Sequence, residues 1–366
     1  MIINNGLVLG DDFQFHKGGV RFSQTVEEVG LMQEGLDVKG AYVLPGFFDI
    51  HTHGAIGHDA VEITDVEAHR DYMYQNGILN YFPTTVSERP EAIEQALKVW
   101  AEVPFIKGIN LEGPFLNAEK RGAHREDYIR EADLEMVYRF QTAAKNKIKI
   151  TTIAPEVGCN LELIPKLRKM EIRVSLGHST ADFETAAVAF DNGASHVTHL
   201  FNAMNPLGHR SSGLAGAALD REDVYCEIIS DGVHLAPEIV RLVYKVKGSD
   251  RMVLISDSMA ATGLKDGEYQ LGGNHVTVLD GTARTDAGAI AGSTKNLRQM
   301  VKSAVSFGIP LEEAVKMASL TPAKAVGLAE EIGSITPGKR ADLVVTDRDL
   351  SVKMAFKDGI LVYQSE

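Results

Sequence analysis

Two histidines, His51 and His53, lie at the end of a short apolar run, and their type and spacing could do chemistry. The run from Leu44 to Ile50 is typical of a buried parallel strand. Residues two apart on a strand point to the same side, so the two imidazoles could converge on one cation. Because histidine is the commonest transition-metal ligand, this spacing indicates a metal site. The alternative is two ordinary polar residues at the mouth of a strand.

Other strand-like runs end in polar residues in the same way, namely at Glu112, His178, His199 and Asp257. Each of them alone has a plain alternative as a solvated or hydrogen-bonded structural residue. Joined to His51 and His53, the two later histidines and Glu112 form a ligand set for one or two divalent ions. His196 begins its strand and is therefore expected at the opposite face, outside this set.

Asp257 follows Ser256 at the end of the last run and adjoins the predicted ligands. A divalent ion lowers the pKa of bound water toward ~7, and a neighbouring carboxylate can take the proton. The pattern therefore predicts hydrolysis. The alternative is that Asp257 only caps the segment that follows it.

Three residues in predicted loops could meet a substrate. His124 and His234 could polarise a carbonyl or contact an anion, and Arg210 could clamp an anion. Each has an equally simple alternative as a solvated loop residue.

The elements that must position these residues alternate between strand and helix. The sequence contains eight strand-like runs. The first ends at His53, and the other seven cover residues 77–84, 105–112, 148–154, 172–178, 196–199, 225–231 and 252–257. Helical patterns at residues 91–101, 131–145 and 237–246 separate some of them. This alternation predicts an α/β fold, a (β/α)8 TIM-type barrel, whose sites lie at the carboxyl ends of the strands. Asp231, at the end of the seventh run, would join the same face.

The two ends of the chain have a different pattern, in which short alternating apolar runs are broken by glycine and aspartate, and this pattern is typical of short strands. Neither end has enough apolar surface for a core of its own, so we expect them to pair. The sequence predicts a small β-sandwich domain from residues 1–45 and 335–366, and a catalytic barrel from residues 46–334.

The composition limits the classes of molecule that the protein is expected to bind. A net charge of −13 disfavours nucleic acid and anionic membranes, so an anionic substrate would need local cations. Two cysteines make no disulfide framework, the first residues lack a signal-peptide pattern, and no stretch reaches the apolar length of a membrane span. We expect a cytoplasmic protein.

Several motifs together resemble the amidohydrolase superfamily over nearly the whole chain: Pro45-Gly46 with His51-x-His53, the strand-end histidines, Asp257, and Gly338-x-x-Ala341-Asp342-Leu343-Val344. A second set is similar to the N-acetylglucosamine-6-phosphate deacetylase family within it: Leu111-Glu112-Gly113-Pro114-Phe115, Gly122-Ala123-His124, Gly177-His178-Ser179, Thr198 to Met204, Asp231-Gly232-Val233-His234 and Ala291-Gly292-Ser293-Thr294. This resemblance implies hydrolysis of N-acetyl-D-glucosamine 6-phosphate to D-glucosamine 6-phosphate and acetate, in amino-sugar catabolism and cell-wall sugar recycling.

The resemblance also implies residue roles. It places Glu112, His178 and His199 on metal, Asp257 as catalytic acid and base, and His124 on the acetyl carbonyl. The sugar-phosphate positions it implies are Ala123, Asn202, Ala203, Asp231, Gly232, Val233, His234, Ile290, Ala291, Gly292 and Ser293. Arg210 and His234 would hold the phosphate, with Arg210 reaching it from the neighbouring subunit of a homodimer or dimer-based oligomer.

One variation within the family concerns the number of ions. Some members lack the first-strand histidines and hold a single ion, whereas His51 and His53 are present here, so this chain resembles the two-ion form with zinc, iron or a similar metal. Many other relatives bridge two ions with a carbamylated lysine after strand four, where this chain has Ala154-Pro155. Glu112 takes that bridging role by elimination. Two alternatives stay open: an amidohydrolase for another N-acylated sugar phosphate, and a non-catalytic scaffold, which would be expected to have lost ligands.

Overall fold

The first five strands form part of a sheet at one side of the molecule. The structure is a computed structural model that describes residues 1–365. The five strands are β1 (Ile2–Leu9), β2 (Phe15–Phe22), β3 (Val26–Gly30), β4 (Leu36–Asp37) and β5 (Tyr42–Pro45). β1 pairs antiparallel with β2 and parallel with β4 and β5. Together they confirm the short strands expected in this part of the chain.

The next ten strands contain the barrel. They are β6 (Phe47–Thr52), β7 (Gly54–Ala55), β8 (His58–Asp59), β9 (Ile78–Thr85), β10 (Ile109–Glu112), β11 (Ile148–Ile153), β12 (Arg173–Leu176), β13 (His196–Val197), β14 (Tyr225–Ile228) and β15 (Met252–Leu254). β7 and β8 form a separate two-stranded ribbon. The other eight pair in parallel in the order β6-β9-β10-β11-β12-β13-β14-β15. Thr52 and Ser258 form a parallel bridge between the two edges, so the sheet closes at its carboxyl end.

Ten α-helices connect or follow these strands. They are α1 (Val66–Gln75), α2 (Pro90–Glu102), α3 (Leu134–Ala143), α4 (Asn160–Lys169), α5 (Phe183–Asp191), α6 (Gly213–Asp220), α7 (Pro237–Arg251), α8 (Leu297–Ser306), α9 (Leu311–Met317) and α10 (Leu320–Val326). The (β/α)8 prediction is therefore confirmed. The helix predicted over residues 131–145 begins only at Leu134, because the Asp133 side chain caps it by accepting from the Glu135 N–H. Within residues 1–365, none of these helices is long and apolar enough to cross a membrane.

A three-stranded antiparallel sheet follows the last barrel strand and was not predicted from the sequence. Its strands are β16 (Gly267–Leu271), β17 (Asn274–Leu279) and β18 (Thr282–Thr285). Gly272 and Gly273 form the turn between β16 and β17, both at positive φ. The Asn274 side chain donates to the Ala123 carbonyl oxygen at 2.7 Å. The turn is thereby attached to the loop that carries His124.

The chain returns to the first sheet at its end. Strands β19 (Leu343–Thr346), β20 (Val352–Lys357) and β21 (Ile360–Gln364) extend that sheet, because β19 pairs antiparallel with β5. The sheet order is β21-β20-β19-β5-β1-β2-β3, with β4 beside β1. The two ends of the chain thus pair, as expected. The division at residues 45 and 335 into two domains stays a prediction.

A buried ion pair joins this sheet to the barrel. Lys357 Nζ lies 2.7 Å from both Asp342 Oδ2 and Asn80 Oδ1, and Asn80 Nδ2 donates to Asp342 Oδ2 at 2.9 Å. Burial alone would raise the pKa of Asp342, but the charges of Lys357 and Arg340 hold it below its usual value. Asn80 belongs to β9 of the barrel, and Asp342 and Lys357 belong to the terminal segment. The network therefore attaches the terminal segment to the barrel through a buried ion pair.

We expect Lys357→Met to lower the free energy of unfolding by about 3 kcal/mol, because Asp342 would be left buried without its ammonium partner. The value is at the low end for such a change, since Arg340 Nε stays 3.9 Å from Asp342 Oδ2. Urea unfolding gives the measurement. Lys353→Met is the control, because Lys353 pairs with Asp347 at the surface, and this change should cost under about 1 kcal/mol. Equal losses in the two variants would contradict the prediction.

Candidate active site

Glu112 is the centre of a cluster of histidines at the carboxyl end of the barrel. Its Oε1 lies 3.1 Å from the Nε2 atoms of both His178 and His199. Its Oε2 lies 3.1 Å from His53 Nε2 and 3.5 Å from His51 Nε2. All five side chains are buried. One carboxylate thus faces a separate pair of histidines with each of its oxygens.

Hydrogen bonds on the far side of three rings fix which nitrogen carries the proton. His51 Nδ1 lies 3.0 Å from Glu227 Oε2, His53 Nδ1 lies 3.0 Å from the Thr84 carbonyl oxygen, and His178 Nδ1 lies 2.8 Å from the Lys120 carbonyl oxygen. These oxygens only accept, so in each case Nδ1 holds the proton. The Nε2 lone pairs then point at Glu112. In metal sites, ligating histidines are oriented by this kind of outer hydrogen bond.

The Nε2 atoms also face one another at short range. His51 Nε2 and His53 Nε2 are 3.3 Å apart, and His178 Nε2 and His199 Nε2 are 3.1 Å apart. In the tautomers that their outer hydrogen bonds set, the Nε2 atoms of His51 and His53 both lack a proton, and they repel at this distance unless a positive charge lies between or beside them. The residues therefore fit divalent cations, with nitrogen ligands and a shared carboxylate as transition metals prefer.

The electrostatics of the two pairs differ. Burial lowers the pKa of His53, but hydrogen bonds and charge from Asp257 and Glu112 outweigh it and raise the pKa to about 9. Burial lowers the pKa of His178 to about 4 despite its hydrogen bond to Glu112. The His53 end of the site therefore stabilises a positive charge strongly, whereas the His178 ring stays neutral. A cation can supply that charge in place of a proton.

Asp257 lies beside the first pair. Its Oδ1 is 3.1 Å from His53 Nε2 and 3.6 Å from His51 Nε2. Although burial would raise the pKa of Asp257, the neighbouring histidines lower it to about 2. The carboxylate is therefore ionised at neutral pH and can accept a proton.

His124 is held in the opposite tautomer from the ligands. The Ser87 backbone N–H donates to His124 Nδ1 at 2.9 Å, so the proton of the neutral ring lies on Nε2. This Nε2 lies 3.4 Å from Glu112 Oε2 and lines the cavity. Glu112, His124 and His178 also lie close enough together to hold an ion. The Ser87 hydrogen bond instead makes His124 a donor toward a bound molecule.

A cavity of about 240 Å³ opens above the cluster. It is lined by His53, Val86, Glu112, Gly122, Ala123, His124, His178, His199, Asn202, Ala203, His234, Asp257, Leu271, Ala289, Ile290 and Gly292. Most of the residues predicted to bind substrate are among them. Leu271, from the β16 to β17 turn, lines the cavity and was not predicted.

Asp231 and Ser293 stand behind the cavity wall and orient His234. Asp231 Oδ1 accepts from the backbone N–H of Val233 and of His234, each at 2.8 Å. Asp231 Oδ2 lies 2.8 Å from His234 Nδ1 and accepts from Ser293 Oγ at 3.1 Å. His234 Nε2 is thereby left for a ligand. Ala291, between Ile290 and Gly292, is buried.

Arg210 does not reach this cavity. It lies exposed in the loop after β13, where the Gly208 N–H donates to the Ser211 carbonyl oxygen at 3.0 Å. The neighbouring Leu207 is also exposed. The structure therefore separates Arg210 from the other residues predicted to contact substrate in the same chain.

Three of the polar residues lie just past their strands, where the backbone is strained. His178, His199 and Asp257 have φ values of 49°, 28° and 49°. The strands themselves end earlier than predicted, at Leu176, Val197 and Leu254. Left-handed backbone at such residues costs on the order of 1–3 kcal/mol each and is concentrated at functional sites. This backbone conformation accompanies the contacts of His178 and His199 with Glu112 and of Asp257 with His53.

Sequence reasoning missed three groups that position the site: Glu227, Ser87 and the β16 to β17 turn. Glu227 was visible as a charged residue inside an apolar strand, and the paired glycines of the turn were visible between alternating runs. Ser87 gave no signal, because it acts through its backbone N–H.

Comparison with known proteins agrees with this geometry. Residues 42–362 match the model of the amidohydrolase family. The chain is 36% identical over 339 residues to N-acetylglucosamine-6-phosphate deacetylase of Bacillus subtilis (strain 168), covering 88% of this chain and 85% of that protein. It is 34% identical over 327 residues to N-acetylgalactosamine-6-phosphate deacetylase of Escherichia coli O157:H7, covering 87% of this chain and 86% of that protein.

A solved structure is similar throughout. It is a mutant N-acetyl-D-glucosamine-6-phosphate deacetylase of Mycobacterium smegmatis in complex with N-acetyl-D-glucosamine-6-phosphate, with a TM-score of 0.94 and 34% identity, over 100% of this chain and 99% of that one. The family match covers most of the sequence, including every predicted ligand. This chain therefore belongs to the amidohydrolase family.

Proposed function

We propose that this protein is a metal-dependent deacetylase that hydrolyses N-acetyl-D-glucosamine 6-phosphate to D-glucosamine 6-phosphate and acetate. The observation that carries the proposal is that Asp257 and His124 both lie in the cluster in which four histidines surround the Glu112 carboxylate. Relatives with this named activity match most of the chain. Release of acetate and of a free amine from the purified protein, lost on chelation, tests it.

The metal centre would be held by the cluster already described. We propose His178, His199 and Glu112 for one divalent ion, zinc, iron or similar, and His51, His53, Asp257 and the second oxygen of Glu112 for another. Bound there, a divalent ion polarises a carbonyl and makes water more acidic. The separation of the four histidines into two pairs by Glu112 supports a count of two.

The chain's own residues supply the proton movements. His124 Nε2–H can donate to the acetyl carbonyl oxygen, which gains negative charge as water adds to the carbon. Asp257 takes a proton from that water and delivers it to the sugar nitrogen as the C–N bond breaks. The water oxygen ends in acetate and the nitrogen leaves as an amine. His234, oriented by Asp231, contacts the sugar phosphate.

A second candidate substrate is N-acetyl-D-galactosamine 6-phosphate. The relative named for that activity is 34% identical to this chain, and two relatives named N-acetylglucosamine-6-phosphate deacetylase are 36% and 32% identical. The two sugars differ only in the configuration at C4, so the acetamide that would be hydrolysed is the same in both. A panel of both phosphorylated sugars, their unphosphorylated forms and longer N-acyl chains separates these possibilities by kcat/KM.

We also propose a cytoplasmic homodimer. Cys159 is exposed and Cys226 is buried, and both are free thiols, which suits a reducing compartment. Arg210 and Leu207 are exposed on a loop that leaves its own site, which suits a contact with a second subunit.

We expect the double variant His51→Asn and His53→Asn to bind about one divalent ion per chain instead of about two, because the second site would lose both nitrogen ligands. Elemental analysis after desalting measures the count. His196→Asn is the matched control, since His196 is buried but its Nδ1 contacts Ser195 Oγ, away from the cluster. An unchanged count in the double variant would overturn the two-ion proposal.

A further inference from the structure

Glu227 is a buried carboxylate that the proposed reaction does not use. It lies on β14 and is fully buried, and its Oε2 lies 3.0 Å from His51 Nδ1. Its other oxygen, Oε1, has no hydrogen-bond partner within residues 1–365. The side chain of Glu227 therefore acts through His51, and a role in holding the barrel together would require further partners.

Burying the Glu227 carboxylate costs free energy unless a positive charge nearby compensates for the lost hydration. An ionised carboxylate removed from water loses several kcal/mol of hydration, and one imidazole N–H returns only part of it. Glu112 and Asp257 together already balance one divalent cation. A second cation brings further positive charge next to His51, and Glu227 is a remaining buried carboxylate in direct contact with the His51 ring.

The contact also controls the His51 tautomer. With the proton held on Nδ1 by Glu227, the Nε2 lone pair is directed at Glu112 and His53. His53 and His178 use neutral backbone carbonyl oxygens for the same purpose. His51 is thus the ligand among these three that is oriented by a full negative charge.

We propose that Glu227 is a positioning residue that sets the affinity of the second cation, the one held by His51 and His53. The inference rests on the proposed metal centre and deepens it. Glu227 touches neither substrate nor the reacting atoms. It acts by holding His51 in the ligating tautomer and by balancing the added charge.

Glu227→Gln tests the proposal, because glutamine keeps the size and removes the charge. Its amide can also donate to His51 Nδ1, which would move the proton to Nε2 and block ligation. Changes in such outer partners typically alter metal affinity about 10- to 100-fold. We expect the Kd of one Zn²⁺, the one that the double variant His51→Asn and His53→Asn no longer binds, to rise by about that factor in a competition titration with a chromophoric chelator, while the Kd of the other Zn²⁺ is unchanged. Elemental analysis after dialysis gives the count independently of activity.

Asp49→Asn is the matched control. Asp49 is also fully buried, but its hydrogen bonds come from the backbone N–H of His51 and from Ser256, and none comes from an imidazole. Both Zn²⁺ affinities should stay at wild-type values in this variant. An effect equal to that of Glu227→Gln would show a general response to lost buried charge and would overturn the inference.

Two further outcomes decide the remaining cases. If wild type holds two ions and Glu227→Gln binds both with unchanged Kd, the inference fails while the proposed function stands. If wild type holds one ion, the two-ion count fails, and an unchanged Kd of that ion in Glu227→Gln overturns the inference as well. Should Glu227→Gln not fold, Glu227→Asp keeps the charge but shortens the reach to His51. Zn²⁺ affinity equal to wild type in that variant would overturn the inference.

Discussion

Replacing Asp257 with asparagine is expected to lower kcat by at least ~10²-fold while KM changes little. The amide keeps the shape of the side chain but cannot accept a proton from water, and general acid and base catalysis contributes about 10²- to 10⁴-fold. The carboxylate is ionised at neutral pH, because the surrounding histidines lower its pKa to about 2 against the effect of burial, and its position beside His53 makes it the candidate acceptor. Steady-state kinetics of acetate release give kcat and KM separately.

The metal content of the Asp257→Asn protein must be measured alongside. Asp257 Oδ1 lies 3.1 Å from His53 Nε2, so the same change could weaken a cation. If the count falls, activity should be remeasured with excess Zn²⁺, and a restored kcat would show that Asp257 acts as a ligand only. Turnover within a few-fold of wild type at full metal content would rule out the proton-transfer role.

Local patterns were enough to predict which side chains gather around Glu112 at the carboxyl end of the barrel. His51-x-His53 is informative because the strand period of two places both rings on one side. Glu112 and Asp257 were found because the barrel brings the ends of successive strands to one face. In each case the residue type and its position relative to an apolar run carried the inference.

The groups that hold those residues in place were not predictable in the same way. Glu227 meets His51 across 176 residues of sequence, so no local period connects them. A charged residue inside an apolar strand also fits an ordinary buried ion pair such as Asp342 with Lys357. The strand ends were placed too late because His178, His199 and Asp257 adopt left-handed backbone, which sequence patterns for strands do not describe.

Loss of the Arg210 guanidinium is expected to raise KM for the 6-phosphate substrate strongly and to leave the unphosphorylated sugar almost unaffected. A chain of net charge −13 repels a phosphate dianion, so local cations must supply the attraction. A guanidinium can bind phosphate through two parallel hydrogen bonds, which an ammonium cannot reproduce. Arg210→Lys should therefore fall between wild type and Arg210→Ala. Steady-state kinetics with both sugars give the comparison.

Arg210 lies exposed and outside its own cavity, so the guanidinium must come from a second subunit if it binds this phosphate. Mixing Arg210→Ala chains with Asp257→Asn chains tests this directly at low substrate concentration. A hybrid dimer contains one site with an intact Asp257 and a partner's intact Arg210, so activity should rise above that of either variant alone. Subunit exchange is verified with a tagged chain. If exchange occurs and activity does not rise, Arg210 does not bind the phosphate in a neighbouring subunit's site, because a shared site would have been rebuilt in the hybrid.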